Sequence, residues 1–324
     1  MSGSRFTLGT RGSALATTQT GHVAAELNRL SGVEYDTVLV KTEGDVTSGP
    51  LSQLGGTGVF AAALRQALYE GTCDMAVHSL KDLPTTQPEG LVIAATPVRA
   101  DVRDALCSRD GLFLAELPEG ASVGTGSPRR AAQLLAFRPD LRIVDIRGNV
   151  GTRLGRVKGS PVQKDDGGVG RTAQGDLDAV VLAAAGLERL GLESHITEYL
   201  DPDIMLPAPG QGSLAVEVRT GGSGHSAVDA ALETMDDTDT RLAITAERAL
   251  LARLEAGCAA PVGALALVQG DELVLDSVAC KPDGSDTMRR SARTSTLTID
   301  GAWALGVTLA EQLLAEGAAE LAGL

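Results

Sequence analysis

Ala76-Val77-His78-Ser79-Leu80-Lys81-Asp82-Leu83-Pro84 decides how the rest of the chain is read. The apolar run Met75-Ala76-Val77 stops at an ammonium beside a carboxylate, and Pro84 turns the chain away. Too short for a helix and preceded by a helix-like segment, the run predicts a buried parallel strand. Polar groups just past the carboxyl end of such a strand lie where open α/β sheets bind their ligands. Taken alone, Lys81-Asp82 reads as a solvated turn with a weak surface ion pair. A functional reading depends on what surrounds it.

Upstream, Phe6-Thr7-Leu8 predicts a first strand, broken by Gly9-Thr10-Arg11-Gly12, with Ser13 as N-cap of a helix from Ala14 to Leu30. The unpaired N–H groups of such a helix end suit an anion, although an ordinary cap is the simpler account. Val33 to Val40 predicts a second strand. Thr42 to Gly58, with Gly44, Gly49, Gly55, Gly56 and Gly58, is too long and glycine-rich for a simple connection and predicts a mobile lid. Val59 to Tyr69 has Phe60, Ala63, Leu64 and Leu68 near one helical face. Leu91 to Ala95 predicts a further strand, ended by Pro97.

Downstream the pattern repeats. Val123-Gly124-Thr125-Gly126-Ser127 parallels the segment from Leu8 to Ser13, with Pro128 at the first helical position. Arg129 and Arg130 follow in the first turn, where cations oppose the helix dipole, so they point to solvent or meet a bound anion. Leu141 to Ile146 predicts a strand running into Arg147 and Arg153, with Arg156 and Lys158 behind them. If Val150 to Val157 is helical, Arg153 and Arg156 share a face. Lys158 to Gly175 reads as a loose polar insertion. Asp178 to Leu182 echoes Asp74 to Val77, and Leu214 to Val218 predicts a strand returning to the first lobe. The resulting layout is residues 1–99 with 200–219, residues 100–199, and a small α+β unit over 220–324. In that last unit the expected helices are Ala227–Met235 and Thr240–Leu254, capped by Asp239. The expected strands are Ala264–Val268, Glu272–Ala279 and Arg293–Ile299, before a closing helix from Ala302 to Leu314.

At 324 residues the chain exceeds one ordinary core. Aromatics are 2% of it, so alternating strands and helices are favoured over an aromatic-rich sandwich. The 28 basic and 42 acidic residues give a net charge of −14, which argues against nucleic-acid and anionic-membrane partners and makes any basic knot local. No apolar run suits a bilayer span or secretion signal, and the expected location is the cytoplasm. Cys73, Cys107, Cys258 and Cys280 are far apart and unaccompanied by clustered histidines, so no metal site or disulfide framework is expected.

Read together, Arg11 and Ser13, His78 to Pro84, Gly124 to Arg130, Arg147 to Leu154, Ala184 to Leu192, Pro207 to Gly212 and the Gly-Cys-x-x-Pro setting of Cys258 resemble the porphobilinogen deaminase family, also called the hydroxymethylbilane synthases. That resemblance implies an α/β fold with two lobes of the type II periplasmic-binding-protein kind and a small α+β third domain. It also implies a covalent dipyrromethane cofactor on Cys258, four condensations of porphobilinogen, and release of hydroxymethylbilane by hydrolysis, and a monomer is expected. Asp82 takes the catalytic position. Arg11, Ser13, Lys81, Thr125, Ser127, Arg129, Arg130, Arg147, Arg153 and Arg189 match the family's carboxylate contacts. Gln19, Asp45, Phe60, Gln211 and Gly212 are secondary candidates. Planar, permanently charged arginine suits the acetate and propionate arms of such ligands, and a buried Asp82 kept ionised by Lys81 would stabilise a cationic intermediate.

Gln53 and Thr57 stand where many relatives carry lysine, Gly126 where serine is frequent, and Ala256 where glycine is frequent. A non-catalytic carboxylate-binding module would account for lobes and arginines but not for Cys258 or the third unit. An inactive paralogue is motivated only by Gln53 and Thr57.

Overall fold

The computed structural model describes residues 5–40, 59–160, 175–257 and 260–324. The expected lid around Asp45, Gln53 and Thr57, most of the 158–175 insertion, and Cys258 lie outside the described residues, as does the side chain of Phe60.

The chain opens with β1 (Phe6–Thr10), α1 (Ala14–Ser31) and β2 (Tyr35–Leu39), then α2 (Val59–Tyr69), β3 (Met75–Ser79), a single 3-10 turn at Leu80–Asp82, and β4 (Leu91–Ala95). It crosses into β5 (Asp104–Ser108), β6 (Ser122–Gly124), α3 (Pro128–Phe137), β7 (Arg142–Val144), α4 (Val150–Leu154), β8 (Ala179–Ala183), α5 (Ala184–Arg189) and β9 (Glu198–Tyr199). A second crossing returns it to β10 (Leu214–Arg219) and α6 (Ser226–Met235). The rest comprises α7 (Thr238–Arg253), β11 (Val262–Gln269), β12 (Glu272–Cys280), β13 (Thr287–Thr294), α8 (Ile299–Ala315) and α9 (Ala318–Ala322).

Two five-stranded sheets have orders β2-β1-β3-β10-β4 and β7-β6-β8-β5-β9. They match strand for strand. In the first, β1 runs parallel to β2 and β3, and β10 lies antiparallel between β3 and β4. In the second, β6 runs parallel to β7 and β8, and β5 lies antiparallel between β8 and β9. Each antiparallel strand is the first element after a crossing, so both crossings are stitched into the sheets they enter. The repeat seen in sequence is therefore a repeat of topology.

The apolar strands bury on both faces because helices cover them. In the first lobe Leu8, Met75, Val77 and Val216 meet Val23 and Leu27 of α1 and Val228 and Leu232 of α6. Helix α6, expected with the third unit, thus closes the core of the first lobe. The remaining C-terminal part packs α7 and α8 on the meander β11-β12-β13, through Leu250, Leu275 and Leu309 among others.

Several boundaries differ from expectation. The expected strand over 293–299 is instead β13, whose period-two alternation of exposure from Thr287 to Thr294 marks an edge strand with one covered face. Asp237 rather than Asp239 caps α7, its carboxylate accepting from Thr240 N–H at 2.8 Å. Strand β5 was not anticipated, since its five residues begin with a charge, and β9 is too short to announce itself.

The crossings touch. Gly212 has φ +86°, and a Cβ there would lie 2.6 Å from Ala100 O and 3.1 Å from Asp101 O. We expect Gly212→Ala to cost roughly 2–4 kcal/mol, combining left-handed strain with overlap. Urea denaturation should show a lower midpoint at unchanged slope; an unchanged midpoint would mean the crossings are not tightly apposed.

Candidate active site

The site begins with two leucines. Leu80 and Leu83 are both buried, packed with Ala61, Ala215 and Ile244, and they pin the 3-10 turn so that Lys81 and Asp82 fall on its open side. Leu80 N–H donates to Ser213 O at 3.0 Å, which fastens the turn to the strand returning from the second crossing. From behind, Arg248 of α7 donates to the carbonyls of Leu83, Pro84 and Thr85 at 3.3, 2.6 and 3.2 Å. Asp82 is exposed, contrary to the buried carboxylate expected. The leucines take the interior positions of this turn, and the charge is left facing outward.

Arg11, Gln19, His78, Ser79 and Asp82 line one small cavity of about 40 Å³ at the carboxyl ends of β1 and β3. Ser13 caps α1, its Oγ accepting from Ala16 N–H at 3.3 Å. Ser79 Oγ donates to Gln19 Oε1 at 3.1 Å. The ring of His78 is buried, with Nε2 3.2 Å from Glu217 Oε2, and Glu217 is also gripped by Arg65 at 2.9 Å and by Gln87 at 2.8 Å. His78 thus helps hold a buried carboxylate under the cavity.

The second lobe supplies the cations. Arg153, half-buried on α4, has its pKa pulled down to about 10, first by burial and then by Arg130 and Arg147, with Asp82 and Asp145 opposing. Lys81 is drawn down to about 8, again first by burial, then by Arg130, with Asp82 and Asp104 partly restoring it and Arg129 opposing them. Arg189 is also lowered by burial. Lys81 of the first lobe and Arg153 of the second therefore both feel the charge of Asp82, with Arg130 acting on both and Arg147 on Arg153. Cations whose charge is disfavoured in the protein alone are suited to a ligand that brings carboxylates. A pair of pyrroles with acetate and propionate arms fits this donor set.

Arg129 and Arg130 do not point to solvent. They are buried, and both pair with Asp104 at the start of β5, at 2.8 and 2.7 Å. Burial alone would raise the Asp104 carboxyl, but the two guanidiniums, with hydrogen bonds from Arg130 and Gln211, hold it well below the ordinary range. Arg129 also donates to Leu206 O at 2.6 Å. It departs from the expected ligand set and serves the crossing instead.

Among the others, Thr125 is buried, its Oγ1 accepting from Ser127 N–H at 3.2 Å, and Ser127 caps α3 at 3.5 Å from Arg130 N. Arg147 is exposed, with only a 3.8 Å approach to Asp145. Arg189 donates to Gly212 O at 2.6 Å, and the amide of Gln211 is engaged within the chain, so both Gln211 and Gly212 take part in the crossing. At Gly126 an added Cβ would lie 2.6 Å from Ile146 O, so the backbone packs closely where relatives carry serine.

Four residues central to this arrangement were not singled out in the sequence: Asp104, Arg99, Glu247 and Arg248. Glu247 is fully buried and accepts from Arg99 at 2.6 and 3.0 Å, Gly210 N–H at 2.6 Å and Ala266 N–H at 2.8 Å. The available signal was an acid-base pair, Glu247-Arg248, inside an otherwise apolar helical stretch.

Residues 6–226 match the family model described as porphobilinogen deaminase, dipyromethane cofactor binding domain, and residues 241–315 match that of the porphobilinogen deaminase C-terminal domain. The chain belongs to the porphobilinogen deaminase family. It is 55% identical to the porphobilinogen deaminase of Micrococcus luteus, covering 98% of this chain and 94% of that one. It is also 55% identical to that of Cutibacterium acnes, covering 99% and 98%. A periplasmic substrate-binding protein of an ABC transporter from Coxiella burnetii follows a similar course over 71% of this chain and 91% of its own, at 14% identity and a TM-score of 0.43. Membership in the porphobilinogen deaminase family agrees with a site built from one exposed carboxylate and an excess of guanidiniums. Among the described residues no helix is long and apolar enough to cross a membrane, and no group of side chains is arranged to hold a metal.

The lowered pKa of Lys81 gives a signed expectation. Free Lys81 loses its proton as pH rises through about 8, whereas a bound carboxylate favours the ammonium. Affinity for a dicarboxylate probe such as glutarate, measured by calorimetry, should therefore be flat below pH 8 and fall by up to about tenfold per pH unit above it. Lys81→Met should abolish that slope; a slope that survives would assign it to another group.

Proposed function

We propose that this chain assembles hydroxymethylbilane by condensing four molecules of porphobilinogen head to tail on a covalently attached dipyrromethane, and releases the product by hydrolysis. One observation carries the reading: Asp82 stands exposed at the end of β3 while Lys81 of the first lobe and Arg153 of the second both feel its charge. A site that merely bound carboxylates would have no use for a carboxylate at its centre. In each condensation the aminomethyl C–N bond of porphobilinogen breaks, ammonia leaves, a C–C bond forms, and the attacking carbon loses a proton. Asp82 supplies a fixed negative charge where positive charge develops on the pyrrole and accepts from its N–H. Lys81, Arg11, Arg130, Arg147, Arg153 and Arg189, with Ser13, Thr125 and Ser127, hold and orient the acetate and propionate arms. Gln19 completes the floor of the cavity beside Asp82.

The dipyrromethane, when bound, would supply the free pyrrole α-carbon for the first addition, each later unit adding to the terminal pyrrole of the growing chain. Cys258 is the attachment point in this reading, in the loop that begins directly after α7. In this reading the enzyme is a cytoplasmic monomer, and the net charge of −14 suits one without membrane or nucleic-acid partners. We divide the chain functionally into two ligand-holding lobes and a cofactor-carrying third unit from α7 onward.

The intact mass of the denatured protein should exceed the polypeptide mass by two linked pyrrole units, and Cys258→Ser should lack the excess. An unmodified wild-type chain that also fails to gain mass on incubation with porphobilinogen would overturn the assignment. Asp82→Ala should keep the fold by circular dichroism and lose roughly 10²–10⁴-fold in turnover; near-normal turnover would remove Asp82 from the chemistry.

A further inference from the structure

Gln211 is 1% exposed and lies on the second crossing between two glycines of positive φ. Its backbone is fixed on both sides: N–H donates to Ala208 O at 2.9 Å, and its carbonyl accepts from Arg99 Nε at 2.8 Å. The carboxamide reaches three partners on three segments. Nε2 donates to Val102 O and to Asp104 Oδ1, each at 2.9 Å, and Oε1 accepts from Lys81 Nζ at 3.3 Å. A carbonyl and an ionised carboxylate accept only, so both amide hydrogens are committed and the amide cannot flip. Its oxygen is thereby forced toward Lys81.

The charges around Lys81 show what this achieves. Asp82 is its neighbour in the same turn; Arg129 and Arg130 face it from α3, and Asp104 from β5. Two guanidiniums already claim Asp104, and both disfavour a third cation. The amide dipole presents its positive end to Asp104 and its negative end to Lys81, so the carboxylate is relayed to the ammonium without direct contact.

We propose that Gln211 is a positioning residue that holds the Lys81 ammonium, charged, beside Asp82, and that it ties this placement to the crossing between the lobes. The inference rests on the proposed role of Lys81 as a cation of the site. Gln211→Met keeps side-chain length and removes both functions of the amide; Gln211→Leu is the second variant should the first fold poorly.

The primary readout needs no turnover. The pH dependence of Lys81 acylation by acetic anhydride, followed by peptide mass spectrometry, should have a midpoint near pH 8 in the wild type. It should fall by about half a unit or more in the variants, because a charge-stabilising acceptor is lost. In the same proteins kcat/KM should lose about threefold or more between pH 8 and 9 beyond its loss at pH 6.5. A Lys81→Arg background, always charged, should erase that pH-dependent part. An unmoved acylation midpoint in folded variant protein, or an equal loss of kcat/KM at every pH, would reduce Gln211 to packing and overturn the proposal. A shifted midpoint with unaltered kcat/KM would instead sink the role given to Lys81 and leave the positioning intact.

Discussion

A carboxylate with no exposed surface, Asp104, sits between two buried guanidiniums where the chain first enters the second lobe, and the geometry of the cleft depends on it. Desolvating three charges is expensive, and breaking one member of such a group typically costs 3–5 kcal/mol because the others are left buried and uncompensated. The arrangement holds because the partners come from different segments. Asp104 opens β5, Arg129 and Arg130 begin α3, and Gln211 lies on the returning crossing. Through Gln211 and Leu206 the group ties the second lobe to the crossing that returns to the first.

The C-terminal unit acts on the same region from behind, through consecutive residues of α7. Glu247 accepts from Arg99 on one crossing and Gly210 on the other, while Arg248 caps three carbonyls just after Asp82. Successive side chains on a helix diverge by about 100°, so one turn of α7 can grip the crossing with one residue and the turn that carries Asp82 with the next. The helix then runs into the loop that holds Cys258. One helix therefore reaches both the crossings and the turn that carries Asp82.

The electrostatic design divides the basic residues into two groups. Arg99, Arg65 and Arg129 are paired with buried carboxylates of the chain and are structural. Lys81, Arg153 and Arg189 also have pKa values lowered first by desolvation, as Arg129 and Arg248 do, but among the described residues no carboxylate ion pair of theirs matches those of the first group. A ligand rich in carboxylates would favour their charged forms, on a protein whose overall charge is strongly negative. Arg130 stands at the boundary, paired to Asp104 while its charge is felt by both Lys81 and Arg153.

The sequence by itself determined the local chemistry: the strand ending at Lys81-Asp82, the caps at Ser13 and Ser127, the repeat of strand, turn and helix, and the return of the chain through Leu214. These follow from periodicity, glycine, proline and capping, which act over a few residues. It did not determine that Asp82 is exposed, that Arg129 belongs to a buried ion group, that α6 completes the first lobe, or that Glu247 and Arg248 brace the crossing and the catalytic turn. Those outcomes were decided by which segments meet across separations such as that of Gln211 and Asp104, 107 residues apart, or Arg248 and Leu83, 165 residues apart. An arginine has the same local propensity whether its partner is a ligand or a distant aspartate, so only the tertiary structure could tell the two kinds apart.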